Sequence, residues 1–349
     1  MDFYGIMLAK KLGGGGGVTP SGTIEITENG SYDVTEYAGA DVSVPEPSGT
    51  VEITENGIVD VAQYASASVN VSGGGGSEIT AMVERTLSSI FNADASKVGD
   101  YAFYSNPTIQ QVEFPNVEVI GQSAFTYCPK LTSISFPKAT AVSNYTFSSC
   151  GSLTNVSLPM VENVRASAFH NCSRVTSFSM PNLKTASANA FARCYSLKSI
   201  DFPELSSIGT GVFMDCSSVS TVSLPKLVSM TSNTFSGCMS LKEIYLPEVS
   251  AVGENGFVRC VRLETASFPK ATQIQSSAFR SCFMLLSLYL MASQVVSIPN
   301  GAVFNETPIS TRTSSTGGVH GSIFVPASLY DSYISAINWS IYSSRFASV

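Results

Sequence analysis

The stretch Ala124-Phe125-Thr126-Tyr127-Cys128-Pro129-Lys130-Leu131-Thr132-Ser133-Ile134-Ser135-Phe136-Pro137 returns, altered but in register, every 22 residues. Its phenylalanine recurs as Phe125, Phe147, Phe169, Phe191, Phe213, Phe235, Phe257 and Phe279 without one insertion. Three residues after each stands Cys128, Cys150, Cys172, Cys194, Cys216, Cys238, Cys260 or Cys282, which accounts for every cysteine of the 349-residue chain. A strict period of this length marks a solenoid, in which each repeat is one coil and like positions stack. Within a coil, Leu131, Ile134 and Phe136 alternate closely enough to point one strand inward. Pro137 ends that strand, because it has no N–H for a ladder. Ala139, Val142, Thr146 and Phe147 are expected to line the return.

Like positions on neighbouring strands lie about 4.8 Å apart, so the cysteines form one row. Bridging in pairs is geometrically open, since disulfide Cα separations run about 4.4–6.8 Å. A small apolar residue repeated in a buried column is the simpler reading. A linear row without a CxxC or histidine partner makes no tetrahedral metal site, so no metal is expected.

Steps of 22 back from Leu131 and Ile134 reach Ile109 and Val112, then Leu87 and Ile90. Phe103 fits the phenylalanine column, but Asn106 stands where a cysteine would be. The coil therefore starts at residue 87 with atypical turns, as terminal repeats usually are. The fold expected is a mainly β solenoid with 22-residue turns, preceded by two small β repeats and closed by a C-terminal helical cap. Residues 1–17 form an N-terminal attachment segment ending in the hinge Gly13–Gly17. Residues 18–72 hold the two β repeats, with tight-turn signals at Asn29-Gly30 and Asn56-Gly57 and with Tyr37 and Tyr64 over their small cores. Residues 73–86 are a glycine linker and N-terminal cap, 78–86 being read as a short helix over the first edge. The solenoid spans 87–290. Residues 291–349 hold an irregular last turn, one further strand at Ile323–Val325 and a helix from Ser328 to Phe346, with Leu329, Tyr333, Ile337 and Trp339 as its apolar side.

Composition excludes several classes. Charged residues are 13% of the chain and the net charge is −7, so no basic surface for nucleic acid is present. No run of 18 apolar residues exists, so membrane insertion is not expected. Only His170 and His320 are available as histidines, neither in a nucleophile motif. Glu243 and Glu264 could form a carboxylate pair of the glycosidase kind, but Lys242 beside them favours an ion pair. Gly13–Gly17 lacks the Lys-Ser/Thr that completes a phosphate loop. The expectation is no enzyme, no catalytic residue and no cofactor, with a glycan hydrolase the least favoured alternative.

The turn Ala-Phe-x-x-Cys-x-x-Leu-x-x-Ile-x-Phe-Pro, over residues 87–326, resembles the BspA-type leucine-rich repeats of bacterial and protist surface proteins. The resemblance implies a right-handed leucine-rich-repeat stack with one strand per turn, and a role in adhesion or recognition. The paired units Glu25–Gly30 and Glu52–Gly57, the glycine runs, and the ending Val325–Tyr333 with Asn338-Trp339 resemble modules of tail-associated structural proteins in phages and prophages of Gram-positive gut bacteria. Cell-surface members of the first group carry a secretory signal and a wall anchor. Here Met1–Lys11 places its basic residues after a short apolar stretch, the reverse of such a signal. The expected location is thus the virion tail, the chain being made in the cytoplasm without a signal peptide, with the bacterial cell surface as the alternative.

Two surfaces carry the candidate contacts. The strand face bears Tyr245 and Tyr289, with Lys242 and Glu264 at equivalent places one turn apart. The loop beside each Phe–Cys step bears Tyr195, Met214, Met239, Arg259 and Phe283 in an otherwise Ser-rich surface, as a ligand ridge would. Tyrosine offers large rigid contact area with a polar tip. The partners expected are a host surface protein or glycan, and other virion or tail proteins through the N-terminus. Homo-oligomerisation is left open.

Overall fold

The computed structural model describes residues 95–310 and 320–349, together with strand segments at 24–26, 31–34, 40–43, 50–53, 68–71, 78–79 and 89–91. The attachment segment 1–17, the two Asn-Gly turns, Tyr37, Tyr64 and Gly73–Gly76 lie outside the described residues. The chain divides into two compact units, Met1–Val161 and Glu162–Val349.

In the first unit each 22-residue turn has three walls. The strand Ser133–Ser135 pairs parallel with Asn155–Ser157, Ile134 opposite Val156, and with Gln111–Glu113 before it. Ile134 points inward and is buried, while the flanking serines are half-buried, as strand alternation requires. Phe136, also buried, gives the last N–H before the proline, to Ser157 O at 3.0 Å.

The second wall is a correction. One strand per turn was expected, but there are two: Val119–Ile120 pairs parallel with both Lys97–Val98 and Ala141–Val142. These strands are two residues long, one outward and one inward, too short for alternation to show in a sequence. Glu78–Ile79 joins the same ladder by pairing with Lys97–Val98, so this part of the first edge is strand where a helix was expected.

The third wall carries the Phe–Cys step. Phe103, Ser105, Phe125 and Tyr127 donate their N–H to Ala124, Thr126, Thr146 and Ser148 of the following turn, at 2.7–2.9 Å. The residues between fold back on their own turn, Ala124 N–H to Gly121 O and Thr126 N–H to Ser123 O. This zigzag needs left-handed backbone two residues before and two after each phenylalanine. Tyr101, Ser105, Ser123, Tyr127, Tyr145 and Ser149 accordingly have φ between 52° and 60°.

The small β repeats meet the same sheet. Ser31–Val34 and Ala40–Ser43 form an antiparallel hairpin, and Ile24–Ile26 pairs antiparallel with Thr50–Ile53. Thr50–Ile53 pairs parallel with Ser68–Val71, which in turn pairs with Ser89–Phe91 across the glycine run. Phe103, Phe125 and Phe147 stack inside at 4.8 and 5.3 Å between ring centres.

The second unit repeats the plan. Its rings from Phe169 through Phe191, Phe213, Phe235, Phe257 and Phe279 to Phe304 stack at 5.3–5.7 Å with planes 3–13° apart. The last step spans 25 residues rather than 22, the extra three being taken up before the 3-10 turn Gly301–Phe304. Ser322–Val325 restores the strand wall by pairing with Ser287–Tyr289.

The C-terminal cap is not one helix. Ala327–Leu329 is a 3-10 turn and Tyr330–Ser335 an α-helix, which stops at Ala336 in extended backbone (φ −67°, ψ 148°). A second 3-10 turn, Ser340–Arg345, leads into Phe346–Ser348, an unexpected further rung beside Ser322–Val325. Because of the break, Ile337 is 87% exposed and Leu329 half-buried, whereas Tyr333 and Trp339 are buried as expected and Tyr342 joins them. The phenylalanine column ends there, Phe304 lying against Trp339 and Tyr342. The polar tips are satisfied: Tyr333 accepts from Val296 N–H, and Tyr342 donates to Gly301 O. Trp339→Ala should lower the unfolding free energy by about 3–5 kcal/mol. Ile337→Ser should change it by less than about 0.5 kcal/mol, both read from urea unfolding.

Candidate functional site

The cysteine row belongs to the interior. All eight thiols are free and buried. In the first unit Cys128 and Cys150 donate their S–H to Phe103 O and Phe125 O at 3.1 and 3.0 Å. In the second, Cys194, Cys216, Cys238, Cys260 and Cys282 reach Phe169, Phe191, Phe213, Phe235 and Phe257 at 3.1–3.4 Å. A small residue with a weak donor therefore hangs each turn from the carbonyl of the turn before. Where the row ends, other residues take the place. Asn106 turns its Oδ1 to the N–H groups of Thr108 and Ile109. Thr307, three residues after Phe304, donates to Phe304 O of its own turn.

Outside the third wall the candidates of the second unit fall into a column. Tyr195, Met239 and Phe283 each directly follow a cysteine, at every second turn, and all are exposed. Ser217 and Val261, between them, are half-buried. Met214 is half-buried, and Arg259 is exposed in left-handed backbone at φ 63°. The strand face holds the rest. Tyr245 is 60% exposed, while Tyr289 is half-buried and stacks on Phe324 at 4.5 Å. Lys242 and Glu264 meet through the backbone, Glu264 N–H to Lys242 O at 2.8 Å. Ion pairs between adjacent turns lie elsewhere: Glu162–Lys184, Glu204–Lys226, Glu248–Lys270 and Arg193–Asp215. The candidates thus form two groups on two walls. His170 is half-buried, and burial first, then Arg193, lowers its pKa from the ordinary value.

Two features escaped the sequence reading. One is Phe324 beside Tyr289. The other is the set of Tyr101, Tyr104 and Tyr145, exposed on the third wall of the first unit around Tyr127, itself exposed beside its Phe–Cys step. Tyr104 meets Tyr101 and Tyr127 edge-on, each at 6.0 Å, and Gln122 donates to the Tyr101 hydroxyl. Tyr101, Tyr127 and Tyr145 occupy left-handed positions at φ 59°, 58° and 56°. The second unit mostly puts Ser, Asn, Asp or Gly at those places, Gly211 and Gly237 among them. Tyrosine in a column of turn residues was the legible signal.

Short parallel strands, a 22-residue period and an inward Leu/Ile/Phe set define a leucine-rich-repeat protein. The family model for the BspA type leucine rich repeat region matches six copies, over residues 96–220 and 206–316, and the chain belongs to that family. Repeats of this kind serve interaction and adhesion. Similar solved structures include a leucine rich cell surface protein from Faecalibacterium prausnitzii, 19% identical over 80% of this chain and 97% of that one, TM-score 0.34. The leucine rich repeat protein of T. pallidum is 23% identical over 61% and 83%, TM-score 0.38. The pneumococcal vaccine antigen PcpA is 14% identical over 95% and 98%, TM-score 0.41. No curated protein matches the sequence.

The thiols set a pH dependence. Burial pushes Cys216 up to about 12, and pushes Cys194, Cys238, Cys260 and Cys282 upward too. In the unfolded chain a thiol ionises near about 8.5, so above that pH the folded state holds more protons than the unfolded one. Stability is then complete below about pH 8.5 and falls as pH rises, by up to about 1.4 kcal/mol per unit for each such thiol. Urea midpoints measured from pH 7 upward should show this fall, and Cys216→Ala should make it shallower. Thiol reagents should label the protein only after denaturation.

Proposed function

We propose that this chain is a non-enzymatic recognition protein of a phage or prophage tail, presenting its repeat surface to a host surface protein or glycan. Its N-terminal segment and β repeats would join it to other virion proteins. The observation that carries recognition is the set of exposed tyrosines in left-handed backbone. A non-glycine residue there costs about 1 kcal/mol or more, and these rings are exposed, so folding gains little from them. A cost the fold does not need is the mark of a surface kept for a partner. In the second unit, Tyr195, Met239 and Phe283 offer apolar contacts at every second turn with Met214 and Arg259 on the same wall, and Tyr245, Tyr289, Lys242 and Glu264 form a separate group on the strand face. The tail assignment is supported by the paired Glu-Ile-Thr-Glu-Asn-Gly units and glycine runs.

A second reading, a BspA-type adhesin on the bacterial surface, is favoured by the family itself and by the cell surface protein of F. prausnitzii. Antibody against the chain should label the tails of particles released from the producing culture. Labelling of washed intact cells instead would establish the second reading. For recognition, Tyr127→Gly combined with Tyr145→Gly should raise stability by about 1 kcal/mol. The same protein should lose host-cell binding about tenfold or more; binding that survives the exchange removes this surface from the proposal.

A further inference from the structure

Resting on that recognition reading, we propose that the strand face of residues 243–324 holds a slot for one neutral pyranose ring, sandwiched between Tyr245 and Tyr289. Tyr245, Ser267, Tyr289 and Phe324 pair directly from rung to rung and form one outward column. Phe324 stacks on Tyr289 at 4.5 Å with planes 11° apart, which steadies the tyrosine and covers one of its faces. The opposite side of Tyr289 is the side of Ser267, a short side chain, and beyond it Tyr245.

Rungs lie about 4.8 Å apart, so Tyr245 and Tyr289 stand about 9.6 Å apart at their backbones. That is slightly more than twice the Tyr289–Phe324 separation, room for one ring with some slack. A flat base or indole would touch only one wall well. A puckered pyranose, thicker by its axial hydrogens, presents C–H groups to both.

The neighbouring column supplies the polar side. Glu243, Thr265, Ser287 and Ser322 lie two residues back along the same strands, on the same outward face. Hydroxyls and one carboxylate in a row are partners for sugar hydroxyls. Glu243 is the one charged member of the two columns and would repel a uronic or sialic acid, so the sugar is neutral.

The full chain is tested on an array of neutral glycans that includes cellohexaose, maltoheptaose and mannohexaose, with proline-rich peptides alongside. The best binder is then taken to calorimetry with Ser267→Phe and Tyr245→Ala. Ser267→Phe puts into the slot a ring the column already accepts at Phe324, so thermal unfolding should show an intact fold. The expected result is binding of at least one neutral glycan, weakened about tenfold or more by either variant and unchanged by Ile337→Ser. Binding of no neutral glycan, binding of proline-rich peptides only, or undiminished glycan binding by Ser267→Phe each overturns the slot. Failure of the recognition reading looks different: the unaltered chain then binds neither host cells nor glycans. If the slot alone fails, host-cell binding persists and Ser267→Phe leaves it unchanged.

Discussion

The walls of this protein depend on one constraint: an N–H must find its carbonyl in a neighbouring turn, at an offset fixed by the 22-residue repeat. Ser133–Ser135 meets Asn155–Ser157 in this way, Phe136 meets Ser157, and Phe125 meets Thr146. Three seams held in one register leave no freedom to slip by a residue, because a slip would turn inward side chains outward. The longer step from Phe279 to Phe304 obeys the same rule. Phe279 N–H reaches Val303 O and Ser281 N–H reaches Asn305 O, so the third seam is made again beyond the insertion. Like residues then stack because they must: a ring beneath a ring, a thiol beneath a thiol.

Much of this was legible in the residues, for a physical reason. Columns buried on all sides tolerate little variation, so Phe, Cys, Leu and Ile return at fixed spacing and announce both the period and the inward face. What stayed hidden were features without periodicity of their own. Ala141–Val142 is too short to alternate. Ala336 breaks a segment whose apolar spacing reads as one helix, and Ile337 is exposed as a result. Phe324 belongs to the column of Tyr289, but the register break after Leu290 conceals the relation. Tyr101 and Tyr145 sit in a column that sequence alone presents as a variable loop; only the backbone shows that the variation is bounded by left-handed φ.

The borders of the cysteine row are bonded differently from its interior. Asn106 Oδ1 accepts from Thr108 and Ile109 of its own loop, and Thr307 donates to Phe304 O of its own turn. The last ring, Phe304, is closed by Trp339 and Tyr342, whose polar atoms are held by residues 296–301.

The exposed ion pairs add little stability, each worth about 0–1 kcal/mol, yet their order has a consequence for how such a chain changes length. Along the residues that follow the prolines, Glu204, Lys226, Glu248 and Lys270 alternate in sign, paired as Glu204–Lys226 and Glu248–Lys270. Recombination that deleted one turn here would set Glu204 against Glu248, or Lys226 against Lys270. Deleting or duplicating two turns, 44 residues, would keep opposite charges adjacent. The same step preserves the spacing of Tyr195, Met239 and Phe283. In this part of the gene the neutral unit of inheritance is therefore the pair of turns, although the unit of folding is the single turn.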